Sequence, residues 1–233
     1  MAKKVFIGVG HGGSDPGAVS GKFKESALNL SIALATKKEL ERHGVSVGIS
    51  RTKEEEDRLA EEIRECQAFG PDVAIEVHNN AGGGDGFEVY IQTGANALKS
   101  KKLATAIEKR VKATGQNSRG LKTKLNASKT DYFGWLRQLA CPAVLLEGFF
   151  VDGLKDRLDY DTDAELEELG VAYAHGVLDF LGIAVKATSA GNSTTTTDDG
   201  LYYVQTFTGS KAGAERNAAE IRAAGFSAIV KRR

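Results

Sequence analysis

Two histidines in this 233-residue chain sit in matching settings. His11 follows the apolar run Val5-Phe6-Ile7 and opens Gly12-Gly13-Ser14-Asp15-Pro16-Gly17. His78 follows Val73-Ala74-Ile75-Glu76-Val77 and precedes Ala81-Gly82-Gly83-Gly84. Short apolar runs bounded by glycines read as buried strands. Both imidazoles therefore stand at strand ends, where open α/β sheets place their ligands. A third run, Ala143-Val144-Leu145-Leu146, delivers Glu147 to the same rim, and Glu25 opens a helix beside the first loop. Alone, each histidine would be a polar residue in a turn. Together, two imidazoles and a carboxylate around an open position are the donor set of a hydrolytic zinc site. Such a metal lowers the pKa of its bound water to about 7 and polarises a carbonyl. A further carboxylate must take the water proton and hand it to the leaving amine. The chain has no compact HExxH pair, and spacing does not decide which glutamate ligates.

The elements that position these groups alternate along the chain. A helix is predicted over 24–43, with Ala27, Leu30 and Leu34 at helical spacing and Gly44 as its stop. Val45, Val47 and Ile49 alternate as a strand over 45–50. Residues 54–69 read as a charged, mostly solvated helix, 87–91 as a strand and 95–114 as a helix. Residues 116–134 are polar and irregular and read as a surface loop near a cleft. The last long helix spans 162–181; Thr162 and Glu165 form a capping box, and Leu166, Leu169, Tyr173, Val177 and Phe180 form its apolar stripe. This alternation predicts an α/β fold: a mostly parallel, mixed and twisted sheet with helices on both faces. His175 reads as a structural histidine. His43 falls at a helix C-terminus, where the dipole favours an imidazolium.

Composition excludes several classes. The 31 basic residues balance the 31 acidic ones, so no global bias toward nucleic acid exists. No segment approaches the roughly 20 apolar residues of a membrane span. Cys66 and Cys141 lie far apart, form no CxxC and read as two reduced thiols in a protein made in the cytosol. Composition shifts at 185–199, where serines, glycine and a threonine run form a flexible linker. Beyond it, 200–233 reads as a small βαβ module. So short a unit buries little core alone and is expected to self-associate or dock.

Four blocks carry a resemblance. His11-Gly12-Gly13-Ser14-Asp15-Pro16-Gly17-Ala18, Lys24-Glu25, His78-Asn79-Asn80-Ala81 and Leu146-Glu147-Gly148-Phe149 are similar to the signature blocks of zinc-dependent N-acetylmuramoyl-L-alanine amidases of the type 3 family. Tyr202-Tyr203-Val204-Gln205 and Ala224-Gly225-Phe226 resemble one half of a sporulation-related (SPOR) repeat, a peptidoglycan-binding module. The resemblance implies a catalytic domain over 1–184, with His11, Glu25 and His78 on zinc and Glu147 as the catalytic carboxylate. It implies hydrolysis of the amide between N-acetylmuramic acid and the L-alanine of the peptidoglycan stem, leading to wall lysis. The alternatives are a zinc peptidase cutting within the stem, or a wall-binding protein without turnover. Glu76 departs from the family, which usually has a small or hydroxyl residue there. It shares a strand face with His78 and reads as its outer partner or as a rim charge. Asn80 reads as a residue that holds its loop. The N-terminus leads directly into a strand without a signal-peptide stretch. The expected route is therefore synthesis in the cytoplasm, then release to the wall through a holin lesion or at mother-cell lysis.

Overall fold

Side-chain alternation along the buried strands decides which helix lies on which face. The computed structural model describes residues 2–186 and the backbone of residues 195, 196, 202 and 203. Its elements run β1 (Lys4–Val9), β2 (Val19–Ser20), β3 (Phe23–Lys24), α1 (Glu25–Arg42), β4 (Ser46–Ile49), α2 (Leu59–Phe69), β5 (Val73–Asn80) and β6 (Phe87–Ile91). They continue with α3 (Ala97–Ala113), β7 (Ser118–Lys122), α4 (Gly134–Gln138), β8 (Ala143–Phe150), α5 (Leu154–Asp159), α6 (Asp163–Leu181), β9 (Thr195–Thr196) and β10 (Tyr202–Tyr203). The main sheet has the order β4-β1-β5-β8-β6-β7. β4, β1, β5 and β8 are parallel, β6 runs antiparallel to β8, and β7 runs parallel to β6.

Odd residues of β1 and β5 (Val5, Ile7, Val9, Val73, Ile75, Val77) join one core with Ile32 of α1, Ile107 of α3 and Tyr173 of α6. Phe6, Ala74 and Leu145 point the other way, onto Ile63 of α2 and Trp135 of α4. Helices thus cover both faces of a mixed, mostly parallel sheet, the architecture expected from the strand–helix alternation. The same period of two puts Glu76, His78 and Glu147 on the α2/α4 face.

Local signals explain most boundaries. In α6, Thr162 Oγ1 accepts from Glu165 N–H at 3.4 Å, and Glu165 Oε2 accepts from Thr162 N–H at 3.0 Å, the reciprocal capping box. Thr162→Ala is expected to cost about 1 kcal/mol of stability, read as a lower urea midpoint with hydrolytic activity intact; an unchanged midpoint would discount the cap.

Four expectations are corrected. α2 begins at Leu59, not at 54, because the acidic run ahead of it bonds loops instead of a helix: Glu54 accepts from Ser26 Oγ at 2.7 Å and Glu56 from Ser14 N–H at 2.6 Å. α2 is also not merely solvated, since Glu62, Ile63 and Cys66 are buried. The 116–134 stretch holds β7, an edge strand whose main-chain pairing with β6 needs no alternating pattern. α1 buries Leu28, Ile32 and Ala35, while Ala27 and Leu34 face water; its apolar residues encircle the helix, so spacing could not choose the face. His43 is buried, with Nδ1 2.8 Å from Glu39 O and the Lys186 N–H 2.8 Å from Nε2, so both ring nitrogens have structural partners. His175 Nε2 bonds Glu39 Oε1 at 2.7 Å, a structural contact.

Of the linker and the C-terminal module, only Val185, Lys186, β9 and β10 are described; β9 and β10 pair antiparallel, Tyr202 opposite Thr196. The remainder of both lies outside the described residues. Val185 and Lys186 still pack on the main body.

Candidate active site

β1 ends at Val9, and Gly10 N–H bonds back to Val77 O at 3.0 Å, so the two histidine-bearing strand ends are joined. His11 then takes a left-handed φ of 64°, unusual for a residue with a Cβ, which turns its ring over the rim. The His11 and His78 ring centroids lie 5.0 Å apart, edge to face at 84°. Glu25, at the first turn of α1, reaches between them. Its Oε1 lies 3.2 Å from His11 Nε2 and 3.1 Å from His78 Nδ1. The three donor atoms lie within 4.8 Å of one another and could hold a metal ion.

The residues around this group fit an ion. Asp15 Oδ2 accepts from His11 Nδ1 at 2.8 Å, leaving Nε2 free to ligate. Glu76 Oε1 stands 3.6 Å from His78 Nε2, on the ring edge opposite Glu25. That is the outer-partner geometry considered for Glu76, longer than a direct hydrogen bond. The glycines leave the necessary space. A Cβ at Gly17 would lie 2.6 Å from Glu25 Oε2, and one at Gly10 would enter the His78 ring.

Electrostatics bind the three into one unit. The hydrogen bond and charge of Glu25 raise His11 above the ordinary imidazole value, against burial. Burial alone would lower His78; bonds to Glu25 and Glu76, with Glu147 nearby, raise it well above that value. Burial alone would raise Glu25; bonds from both rings hold it far below the usual carboxylate range.

Glu147 of β8 is directly opposite His78 of β5 on one side and Glu88 of β6 on the other. It lines a cleft of about 710 Å³ with His11, His78, Glu76, Phe133 and Trp135. Its Oε2 is buried and has no hydrogen-bond partner. Burial pushes the Glu147 carboxyl up to about 7, and Glu25, Glu76 and Glu88 add to this against the pull of His78. A half-buried carboxyl poised near neutrality can both take and give a proton. The four residues singled out from sequence are thus brought to one cleft edge. Asn80 stands aside: its Oδ1 accepts from Ala81 N–H at 2.9 Å, holding its own loop.

Sequence reading missed three supports. Asn29 Nδ2 donates to Gly10 O at 2.9 Å, Asn79 Nδ2 donates to Asn29 Oδ1 at 2.8 Å, and Asn79 N–H donates to Glu25 Oε1 at 3.1 Å. Glu62 of α2 accepts from Val9 N–H at 2.8 Å, and its carboxyl is raised by burial and the charges of Glu76 and Asp57. Arg51, 2% exposed, donates to Ser26 O at 2.7 Å and to Val9 O and Gly10 O at 3.3 Å each. It clamps the His11 strand end to the helix start that carries Glu25. Arg51→Lys cannot reproduce the fork and is expected to weaken metal affinity about 10–100-fold, measured by chelator competition. Unchanged affinity in a folded variant would remove Arg51 from the site.

A carboxyl raised toward neutrality beside three metal-competent donors, at the carboxyl edge of an α/β sheet, has the parts of a hydrolase. Residues 5–179 match the N-acetylmuramoyl-L-alanine amidase family, and the chain belongs to that family. It is an N-acetylmuramoyl-L-alanine amidase, and peptidoglycan is its substrate. A sporulation-specific N-acetylmuramoyl-L-alanine amidase of Bacillus subtilis is 34% identical over 230 residues, 97% of this chain and 84% of its own length. The endolysin of Bacillus phage SPP1 is 32% identical over 194 residues, 80% of this chain and 69% of its own. The catalytic domain of CwlV, an N-acetylmuramoyl-L-alanine amidase from Bacillus (Paenibacillus) polymyxa, aligns with a TM-score of 0.70 at 27% identity, over 78% of this chain and 99% of that one. No described helix is long and apolar enough to cross a membrane.

Proposed function

We propose that the chain works as a zinc amidase, with His11, Glu25 and His78 as ligands and Glu147 as the catalytic carboxylate, and that its cleavage lyses the bacterial wall. The observation that carries this reading is the approach of His11 Nε2 and His78 Nδ1 to the single oxygen Glu25 Oε1, beside the cleft that Glu147 lines. Two imidazoles and one carboxylate suit zinc. Bound there, zinc would supply Lewis-acid polarisation of the scissile carbonyl and acidify the attacking water. The chain's own residues do the rest. Glu147 accepts the water proton at its oxygen and passes it to the nitrogen of the departing L-alanine. Asp15 and Glu76 hold the outer edges of the two rings and fix their orientation. The amide cut is the one between the lactyl group of N-acetylmuramic acid and L-alanine.

The lytic role draws support from the likeness to a sporulation-specific amidase and a phage endolysin. Residues 200–233 are assigned, on their sequence pattern, to contact the wall glycan and to self-associate. The test is product analysis on purified sacculi, with and without chelator. Free L-alanine amino groups without new reducing sugar ends, lost on chelation and restored by zinc, support the reading. New amino groups on another stem residue would move the cut into the peptide. Chelator-resistant release of L-alanine would remove the metal.

A further inference from the structure

β1 is bare at Gly8, and three neighbours converge on that point of the cleft. A Cβ there would lie 2.7 Å from Glu62 Oε1 and 3.0 Å from the Trp135 ring. In the β1–β5 register, Gly8 stands directly opposite Glu76. Glu62, Glu76 and Trp135 are all buried, and they line the cleft together with half-buried Asp57. Glu62 is held in place: its Oε1 accepts from Val9 N–H at 2.8 Å and from Ser50 Oγ at 3.0 Å. This wall has charge of one sign. Asp15, Asp57, Glu62, Glu76 and Glu147 line the cleft, and among the described residues no lysine or arginine does. A divalent ion on His11, Glu25 and His78 would add one net positive charge, fewer than the carboxylates present. The wall also carries polar atoms without partners. Among the described residues six buried side-chain atoms make no hydrogen bond; three of them, Asp57 Oδ2, Trp135 Nε1 and Glu147 Oε2, belong to residues lining this cleft. A completely buried indole N–H without an acceptor is costly, and a ligand carbonyl would satisfy it.

We propose that Asp57, Glu62, Glu76 and the Trp135 N–H form a subsite for the amino end of the stem peptide, the carboxylates taking its ammonium and the indole N–H its L-alanine carbonyl. This subsite presupposes the cut between N-acetylmuramic acid and L-alanine. Hydrolysis there turns a neutral amide R–CO–NH–R′ and one water into R–COO⁻ and R′–NH₃⁺. The amide nitrogen carries no charge before the cut, so the carboxylates hold the peptide product more strongly than the substrate.

The two products meet this wall differently. The lactyl carboxylate on the glycan is repelled by like charge, and the new ammonium is attracted. The glycan therefore leaves first, while the stem peptide stays and competes with the next substrate. The state of Glu62 agrees with such a ligand. Burial, then the charges of Glu76 and Asp57, hold its carboxyl well above the usual carboxylate range. An ammonium among these groups offsets the like-charge crowding.

The experiment titrates the full-length, zinc-loaded protein by calorimetry at about pH 6.5, where an α-amino group of pKa about 7.7–8.0 is charged. The probes are a synthetic stem peptide with a free L-alanine amine, the same peptide acetylated at that amine, and the same peptide acetylated only at its side-chain amine. Acetylating L-alanine is expected to weaken binding about 10–100-fold, and acetylating the side chain to leave it unchanged. Asp57→Asn and Glu62→Gln should each weaken the free peptide and bring it closer to the L-alanine-acetylated one. Trp135→Phe, which keeps a ring and loses the N–H, should weaken all three peptides alike. Asp57 is half-buried and its Oδ2 has no partner to lose, so Asp57→Asn keeps the test open if Glu62→Gln fails to fold. Equal binding of the free and L-alanine-acetylated peptides would overturn the subsite. Binding lost only on acetylating the side-chain amine would overturn it too, by assigning the wall to another ammonium. The cut itself is read separately from the ends released on sacculi, so either reading can fail without the other.

Discussion

Replacing Glu147 with glutamine is expected to lower kcat about 10²–10⁴-fold while the metal stays bound. Glutamine keeps the volume and the hydrogen-bonding reach but cannot exchange a proton at its oxygen. The proposed ligands lie on other strand ends and on α1, so their positions are kept and only the nearby charge is lost. The wild-type pH profile is the companion measurement. As the base, Glu147 must be ionised, so activity falls as pH drops through its value of about 7 in the metal-free site. A bound cation favours the ionised form, so the loaded enzyme places this acid limb at or below about 7. Glu147→Gln should lose the limb together with the rate. Full activity in the variant, or loss of rate accompanied by loss of metal, would sink the assignment.

Metal affinity itself should fall steeply in acid, by up to about a hundredfold per pH unit where two protons are displaced. The sign follows from the two rings. Both His11 and His78 are raised above the ordinary imidazole value, so the metal-free protein keeps them protonated to higher pH. A metal must displace those protons, and its affinity climbs as pH rises through the raised values. The metal-free fold has the opposite dependence. The raised imidazoles contribute stability that is complete below about pH 6.5 and is lost as pH rises through their folded values. Glu25, held low, contributes stability present above the unfolded carboxylate range and lost as pH falls through its folded value. The thermal shift produced by zinc should therefore widen from about pH 5.5 to 7.5. Chelator-competition titrations across that range provide the direct measurement. An affinity independent of pH would show that the imidazoles are not the ligands.

Much of the site was legible because its chemistry sits at strand ends, and strand ends announce themselves as apolar runs stopped by glycine. His11, His78 and Glu147 were found this way, and Glu25 as the opening of a helix beside the first loop. The supports were not, because their partners are chosen by the fold. Arg51 looks like any surface arginine until Val9, Gly10 and Ser26 turn their carbonyls toward it. Asp15 offered a signal, a carboxylate four residues from His11 within the same glycine loop. β7 was unreadable for another reason: its pairing is made by main-chain bonds, with Gly120 at φ 84° interrupting any pattern. Cys66 and Cys141 come to one buried cluster only after α2 folds across the sheet. The helix end at His43 was legible, but not the Lys186 main chain arriving at its ring.

Gly10 has an ordinary backbone conformation, yet any side chain there would occupy the place of the His78 imidazole. The His78 ring would have to swing away, breaking its approach to Glu25 while every proposed ligand stayed in the sequence. Position 10 therefore serves as a one-letter diagnostic across relatives. A chain that keeps both histidines and both glutamates but carries alanine at the equivalent of Gly10 should be scored as a pseudoenzyme.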